Sequence, residues 1–442
     1  MNETISPLVR RAIRRAGVAG LALATAGCAT APLFAPPPAT ASEEQIYTRL
    51  YPTYAEICAV SQLGKKSGFG AEISSGIGGH AVLYLNGVCR KRDVDYPVLA
   101  MCDETNDPAD GVGLSVNAHY QNAEWVAVEG RKFFFDGDLG PGEPLTKAAY
   151  RRTQSEALAK GVFKGVTFHD EVYEDMAPGF TPATYQYEMS VATDYAITFG
   201  RNRYCARVPL DRAQMQIIVG YLNEQNAPYR AGEVFDWNLF EHNCAHLNHN
   251  ALAAADIWDE WETDRFILVS LFDFPVPKNE FVNLMRRTND LPIDDLVALY
   301  RDEAARRLLL KRGRLPTEPG ALLDLGTIPR QNEVYDPDSR IIFYDEPITG
   351  RYEQHFREIL SQPRYFRLRD NLAYFAGLYA KIETGRRPVE AYLADHPDWD
   401  ADRQADFRQF YAAYFTYVDR ESKTVARDLA ALDAKSPMPG QS

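Results

Sequence analysis

Ten residues, "EHNCAHLNHN" from Glu241 to Asn250, hold three of the chain's eight histidines and one of its six cysteines. Two chemistries fit that density. His242, His246 and His249 stand at i, i+4 and i+7, a spacing that puts imidazoles on one face of a continuous helix, as zinc sites do. The zinc-protease pattern, however, wants Glu after the first His, and Asn243 stands there. Asn is a good helix N-cap, and Leu247, Ala251, Ala254 and Trp258 follow at helical spacing, so the predicted helix runs from Cys244 to about Trp258 and leaves His242 outside it. Metal is therefore not expected; His246 becomes a first-turn polar contact and His249 a solvent-facing residue. Cys244 then lies in a helical first turn, where free amides and the helix dipole favour the thiolate and can hold the oxyanion of a tetrahedral intermediate. A free cysteine at a helix start is otherwise a small buried hydrophobe. The polar residues on both sides favour the nucleophile.

A thiol nucleophile needs an imidazole, and the elements before it must supply one. "SSGIGGHAVLYLNG" reads as a glycine loop entering a strand, with His80, Val82 and Tyr84 on one face. In "GVGLSVNAHYQNAEWVAVEGRKFFFD", Val112, Leu114 and Val116 alternate with Gly113, Ser115, Asn117 and His119, and Gly130 turns the chain into Phe133–Phe135, read as further strand. Asn117 and His119 share a face; either could orient His80, and His119 is preferred. "DYAITFGRNRYCARVPL" predicts a strand pair around Gly200, and "DRAQMQIIVGYLNEQ" a helix starting near Asp211. This part, residues 47–285, is α+β. After Met285 come long helical patterns such as "RQADFRQFYAAYFTYV", so residues 286–442 are expected as a mainly α-helical region. Its His355 and His396 sit in ordinary helix-face and helix-end contexts, and Tyr411, Tyr414, Phe415 and Tyr417 serve packing with some excess for an apolar wall toward a substrate. Between the helices, "RLPTEPGALLDLGTIPRQNEVYDPDS" reads as loop and "RIIFYDE" as at most one strand.

The chain's address narrows the substrates. Residues 1–27 carry four arginines, an apolar run and small residues at the end, an export signal. Its last residues, "LATAGC", are similar to a bacterial lipobox ending in Cys28, with Thr25 where Leu is commoner; ordinary secretion or an uncleaved anchor is the alternative. Residues 28–46, rich in Pro and Ala, form a tether. Loss of the leader's four Arg and one Glu takes the formal charge from −13 to −16, which disfavours nucleic acid as a partner. No later run approaches the ~20 apolar residues of a spanning helix, "FILVSLF" at Phe266–Phe272 being the nearest. Five cysteines remain beside Cys28. In an exported protein that predicts two disulfides and one free thiol, with Cys244 free and Cys89–Cys102 the favoured pair, or else five reduced thiols.

The order of "GGHAVLYL" followed by "NLFEHNCAHL" resembles the circularly permuted branch of the NlpC-type papain-like superfamily, in which the histidine strand precedes the cysteine helix. "NCAHL" is similar to the Asn-Cys-x-His-Phe signature of the lecithin retinol acyltransferase and PPPDE peptidase families, with Leu247 for Phe. Residues 67–260, including "GVFKGVTFHDEVYEDM" and "YAITFGRNRYCARVPLDRAQMQIIVGYL", resemble most the periplasmic N-terminal domain of the Lnb lipoprotein N-acyltransferase group. The resemblance implies cofactor-free thiol acyl chemistry at the periplasmic side of a membrane, with Cys244 and His80 at the catalytic positions. Its substrate would be a lipid or lipoprotein; the wider superfamily suggests a cell-wall peptide instead.

Overall fold

The structure, a computed structural model, describes residues 41–69, 79–103, 110–174, 176, 178–238, 242–258, 277–338 and 352–433. The leader, Cys28, "FILVSLF" and "RIIFYDE" lie outside the described residues.

Six antiparallel strands build the central sheet: β1 (Tyr54–Val60), β2 (His80–Asn86), β5 (Gly111–Val116), β6 (Trp125–Glu129), β7 (Arg203–Pro209) and β8 (Leu322–Gly326), in the spatial order β6-β5-β2-β1-β7-β8. A two-stranded ribbon, β3 (Val88–Arg90) and β4 (Leu99–Met101), lies beside it. Register divides the sheet into two unlike faces, because alternate side chains point opposite ways. Ile57, Ala59, Ala81, Leu83, Leu114, Val116, Tyr204 and Ala206 fall on one face and are all buried. Over that face pack α5 (Arg212–Arg230), α6 (Cys244–Ala254) and α7 (Pro277–Asp290), with Phe281 of α7 against Tyr204. The expected cap holds: Asp211 accepts from the Gln214 amide at the start of α5.

The opposite face is polar. Glu56, Cys58, His80, Ser115, Arg203, Cys205, Arg207 and Asp324 share it by register. The short helix α2 (Arg131–Asp136) crosses it, and Arg131 bonds Glu56 at 3.1 Å and Asp324 at 2.7 Å. Arg207 joins Glu56 and also Glu44, the latter at 2.8 Å, and Arg203 joins Asp324. Buried charges are tolerated in this form, each paired and hydrogen bonded. Beside them Cys58 and Cys205, direct partners in register, form a disulfide; Cys89 and Cys102 form the second, and Cys244 is the free cysteine among the described residues, as its neighbours in sequence suggested.

Phe134 of α2 reaches the sheet only because β5 has glycine beneath it: a Cβ on Gly113 would lie 2.0 Å from Phe134 Cγ. Gly113→Ala is therefore expected to cost ~3 kcal/mol of stability by forcing α2 off the sheet. Urea denaturation checks this, and an unchanged midpoint would remove the account of that glycine.

Several sequence expectations are corrected. Phe133–Phe135 is helix, not strand, since the chain turns at Gly130 (φ +91°) into α2, which buries Phe134 and Phe135 against Tyr84 of β2 and Phe133 against Tyr195. Only the second half of the segment around Gly200 is strand; Ala196 is left-handed and Ile197–Phe199 form a single 3-10 turn. The tether does not extend to residue 46, for α1 (Ala41–Leu50) is already helical and supplies Glu44 to the ion network. The division at 285/286 falls inside α7, and β8, read as loop, comes from beyond it to pair with β7.

The helical region is otherwise as expected: α8 (Leu296–Arg301), α9 (Glu303–Arg312), α10 (Tyr352–Ser361), α11 (Leu368–Thr384), α12 (Val389–Ala394) and α13 (Ala401–Asp433). A second core of Tyr300, Phe375, Tyr379, Phe407, Phe410 and Tyr414 holds most of it together. Tyr414, Phe415 and Tyr417 are buried and the Tyr411 hydroxyl donates to the Arg387 carbonyl, so these rings are spent on packing and not on a substrate wall. No helix among the described residues is long and apolar enough to cross a membrane.

Candidate functional site

Cys244 opens α6. Asn243 caps it with extended backbone, its Oδ1 accepting from the amides of Ala245 and His246 at 2.8 and 3.2 Å. The helix ends at Ala254, four residues before Trp258, and the chain then turns through Asp256 at φ +59°. Because α6 is packed between α5, α7 and the sheet, every residue from Cys244 to Leu252 is buried. His249 is consequently not solvent-facing: its Nδ1 meets Glu280 Oε2 at 2.6 Å and its ring stacks on Trp258 at 4.2 Å. His242 precedes the helix, bridged to Asn238, and the three histidines do not converge as a metal cluster among the described residues. The one such grouping found there, Glu56 with Cys58 and Cys205, has its sulfurs committed to a disulfide.

The sulfur of Cys244 faces the first turns of β2. The Ala81 amide points at Sγ, one residue from His80, with the Cys244 and Ala245 amides close by. Arg201, at the entry to β7 and 3% exposed, acts on the thiol through its charge. Burial nevertheless pushes the thiol above its ordinary pKa, and the Ala81 amide, Arg201 and the helix amides only moderate the rise. This corrects the expectation that the helical first turn would leave a ready thiolate. Desolvation of a charge outweighs the dipole when water is excluded from both.

His80 begins β2 after Gly79, whose φ of +74° and closeness to the Val60 carbonyl exclude a side chain. Its Nε2 lies 3.0 Å from Ser115 Oγ. Ser115 donates to Asp194 Oδ1 at 2.7 Å, and Asn117 Nδ2 reaches both oxygens of the same carboxylate at 3.3 and 3.2 Å. Burial pushes the imidazole down to about 3, Arg201 adding to the effect and the Thr193 carbonyl opposing it, so it is neutral. No hydrogen bond joins thiol and imidazole: both lie at the same end of β2, but His80 projects from the polar face while α6 packs over the other, and each is held by its own partners.

His119 does not take the orienting position. It stands in the turn after β5, its amide bound to Asn117 Oδ1 and its ring against Phe168 at 6.1 Å, while Ser115, with Asp194 behind it, holds His80. Ser115 was legible as a same-face neighbour of Asn117, one strand from His80; Asp194, 79 residues after Ser115, was not. Arg201 and Lys278 were also missed, the first following a glycine in a supposed strand and the second opening a helix without any motif. Compared with known protein families, curated proteins and solved structures, the chain matches none of them.

Proposed function

We propose that the chain is a thiol-dependent acyltransferase or hydrolase of the cell envelope, on a circularly permuted papain-like arrangement and anchored by lipid at Cys28. One observation carries the reading: the single free thiol among the described residues sits at the capped start of a buried helix, its sulfur against the amide next to His80. In the reacting complex His80 turns from Ser115 toward the sulfur; Cys244 then loses its proton to it and attacks the carbonyl of an ester or amide, the C–O or C–N bond breaks, and the leaving alcohol or amine takes that proton back. The thioester left on Cys244 passes to an amine, as in lipoprotein N-acylation, or to water. Ser115 and Asp194 orient His80 without exchanging protons with the substrate.

The test is trapping. The purified full chain mixed with a p-nitrophenyl acyl ester is expected to gain one acyl mass on the Cys244 peptide, removable by neutral hydroxylamine as a thioester is. Cys244→Ser is expected to gain no hydroxylamine-labile mass while melting at the same temperature. A second reading, a non-catalytic binding lipoprotein, is favoured by the missing thiol–imidazole hydrogen bond. It predicts no adduct in either protein.

A further inference from the structure

Two cations at the Cys244 end of β2 form no ion pair among the described residues, Asp194 acting on Arg201 only from a distance. Lys278, in the first turn of α7, is fully buried, and its Nζ has no hydrogen-bond partner. It lies along Gly79: a Cβ built there would be 3.1 Å from Lys278 Cε and 3.4 Å from Nζ. Arg201 spends one nitrogen on the Ser61 carbonyl at 3.1 Å, and its buried Nε has no partner. Elsewhere the chain treats buried cations differently, pairing Arg131, Arg203 and Arg207 with Glu44, Glu56 and Asp324. A buried unpaired charge costs several kcal/mol. Here there are two, with a lysine placed at the positive end of a helix, against the preference for acidic residues there. The first turns of α6 and α7 both deliver donors to this spot, and the acid in those turns, Glu280, is taken up by His249.

We infer that Arg201 and Lys278 form a subsite for one small oxyanion, a phosphate or carboxylate group of the substrate, lying beside the carbon that Cys244 attacks. This rests on the reading of Cys244 as nucleophile and specifies it: the acyl donor or its leaving group is acidic near the scissile bond, and a neutral ester lacking that group is a poor substrate. Arg201 acts on the sulfur through its charge and Lys278 lies along the glycine before His80, so an anion held by both sits beside the two reacting residues. Burial and Arg201 push the Lys278 ammonium down to about 8, which leaves it mostly charged at neutral pH and eases its neutralisation by a bound anion.

Iodoacetate and iodoacetamide make a direct probe, since they alkylate the same sulfur and differ in a carboxylate beside the reacting carbon. At pH 7.5, the ratio of iodoacetate to iodoacetamide rates at Cys244, read by peptide mass, is expected to exceed that of free N-acetylcysteine tenfold or more. Lys278→Gln, which removes an unpaired buried charge and is expected to fold, brings the ratio back to the free-thiol value. A wild-type ratio equal to that of the free thiol, or one retained in K278Q, overturns the subsite while leaving the nucleophile standing. If Cys244 reacts with neither reagent, the nucleophile reading fails, and melting temperatures decide the subsite. Inorganic phosphate or acetate must then raise Tm above chloride at equal ionic strength in the wild type and not in K278Q, phosphate or acetate marking which acid fits; no rise in either overturns the proposal.

Discussion

His80→Ala is expected to slow acylation of Cys244 by about 10²–10⁴-fold, the range over which a positioned general base acts. Alkylation by iodoacetamide should change by no more than about threefold, because that reaction draws on thiolate made by solvent and not by the imidazole. The separation follows from the resting site: His80 is bonded to Ser115, and burial keeps both it and Cys244 neutral. With the thiol pKa raised, the thiolate fraction is below that of an ordinary cysteine at pH 7, so the alkylation rate climbs with pH through the alkaline range without a neutral plateau. Stopped mixing with an activated ester, followed by intact mass, measures the first effect; iodoacetamide rates between pH 6 and 10 measure the second. A His80→Ala protein that acylates at the wild-type rate would leave the imidazole without a chemical role. A plateau below pH 7 would mean that the helix and Arg201 win over burial.

Glu56→Ala is expected to cost ~3–5 kcal/mol, the penalty of breaking a buried pair from one side. Glu56 is inaccessible to solvent and receives Arg207 and Arg131 together, so its loss leaves three guanidinium groups, those of Arg131, Arg203 and Arg207, on the sheet with only Glu44 and Asp324 between them. Against a total of ~5–15 kcal/mol for a folded protein, this is a large share. The midpoint of urea unfolding should fall with little change of slope, and a loss under ~1 kcal/mol would show the network to be dispensable. Burial works against the Asp324 carboxylate, yet Arg203, Arg131 and Arg207 hold it well below the usual range. Its contribution is thus complete above the ordinary aspartate pKa of ~3.9 and is lost as pH falls toward the folded value. The network stays intact wherever the thiol chemistry is measured.

The local parts of this arrangement were legible because local physics decides them. Asn243 caps a helix whichever way the sheet is wound, Asp211 starts the next one, and the odd cysteine count singled out the thiol between polar neighbours. Strand β2 announced itself by alternation and by the glycine before His80. What failed needed the third dimension. β8 has five residues in a Pro- and Gly-rich stretch and becomes strand only because β7 offers an open edge. Ser115, with Asp194 behind it, meets His80 only after β5 has paired with β2, and the raised thiol pKa appears only when α6 is enclosed. Deletion of residues 286–442, which the change of texture near Met285 suggests as a clean cut, would remove β8 and sever α7 next to the site, so an insoluble product is the expected outcome.

Strand β1, at the middle of the sheet, has one neighbour close in sequence and another far away. The disulfide that links β1 to β7 spans 147 residues. In a polymer picture, tying so long a loop lowers the entropy of the unfolded chain by about 5 kcal/mol at room temperature. The same distance has a kinetic side. Until β7 is made, β1 presents an unsatisfied row of amides and carbonyls along one edge, a template for strands of other chains. High contact order of this kind slows folding, and the early chain depends on whatever holds such an edge apart from its neighbours while the rest arrives. Oxidation of Cys58 with Cys205 then acts as a ratchet: it fixes the register of β1 against β7 and closes the interval in which that edge is open to other chains.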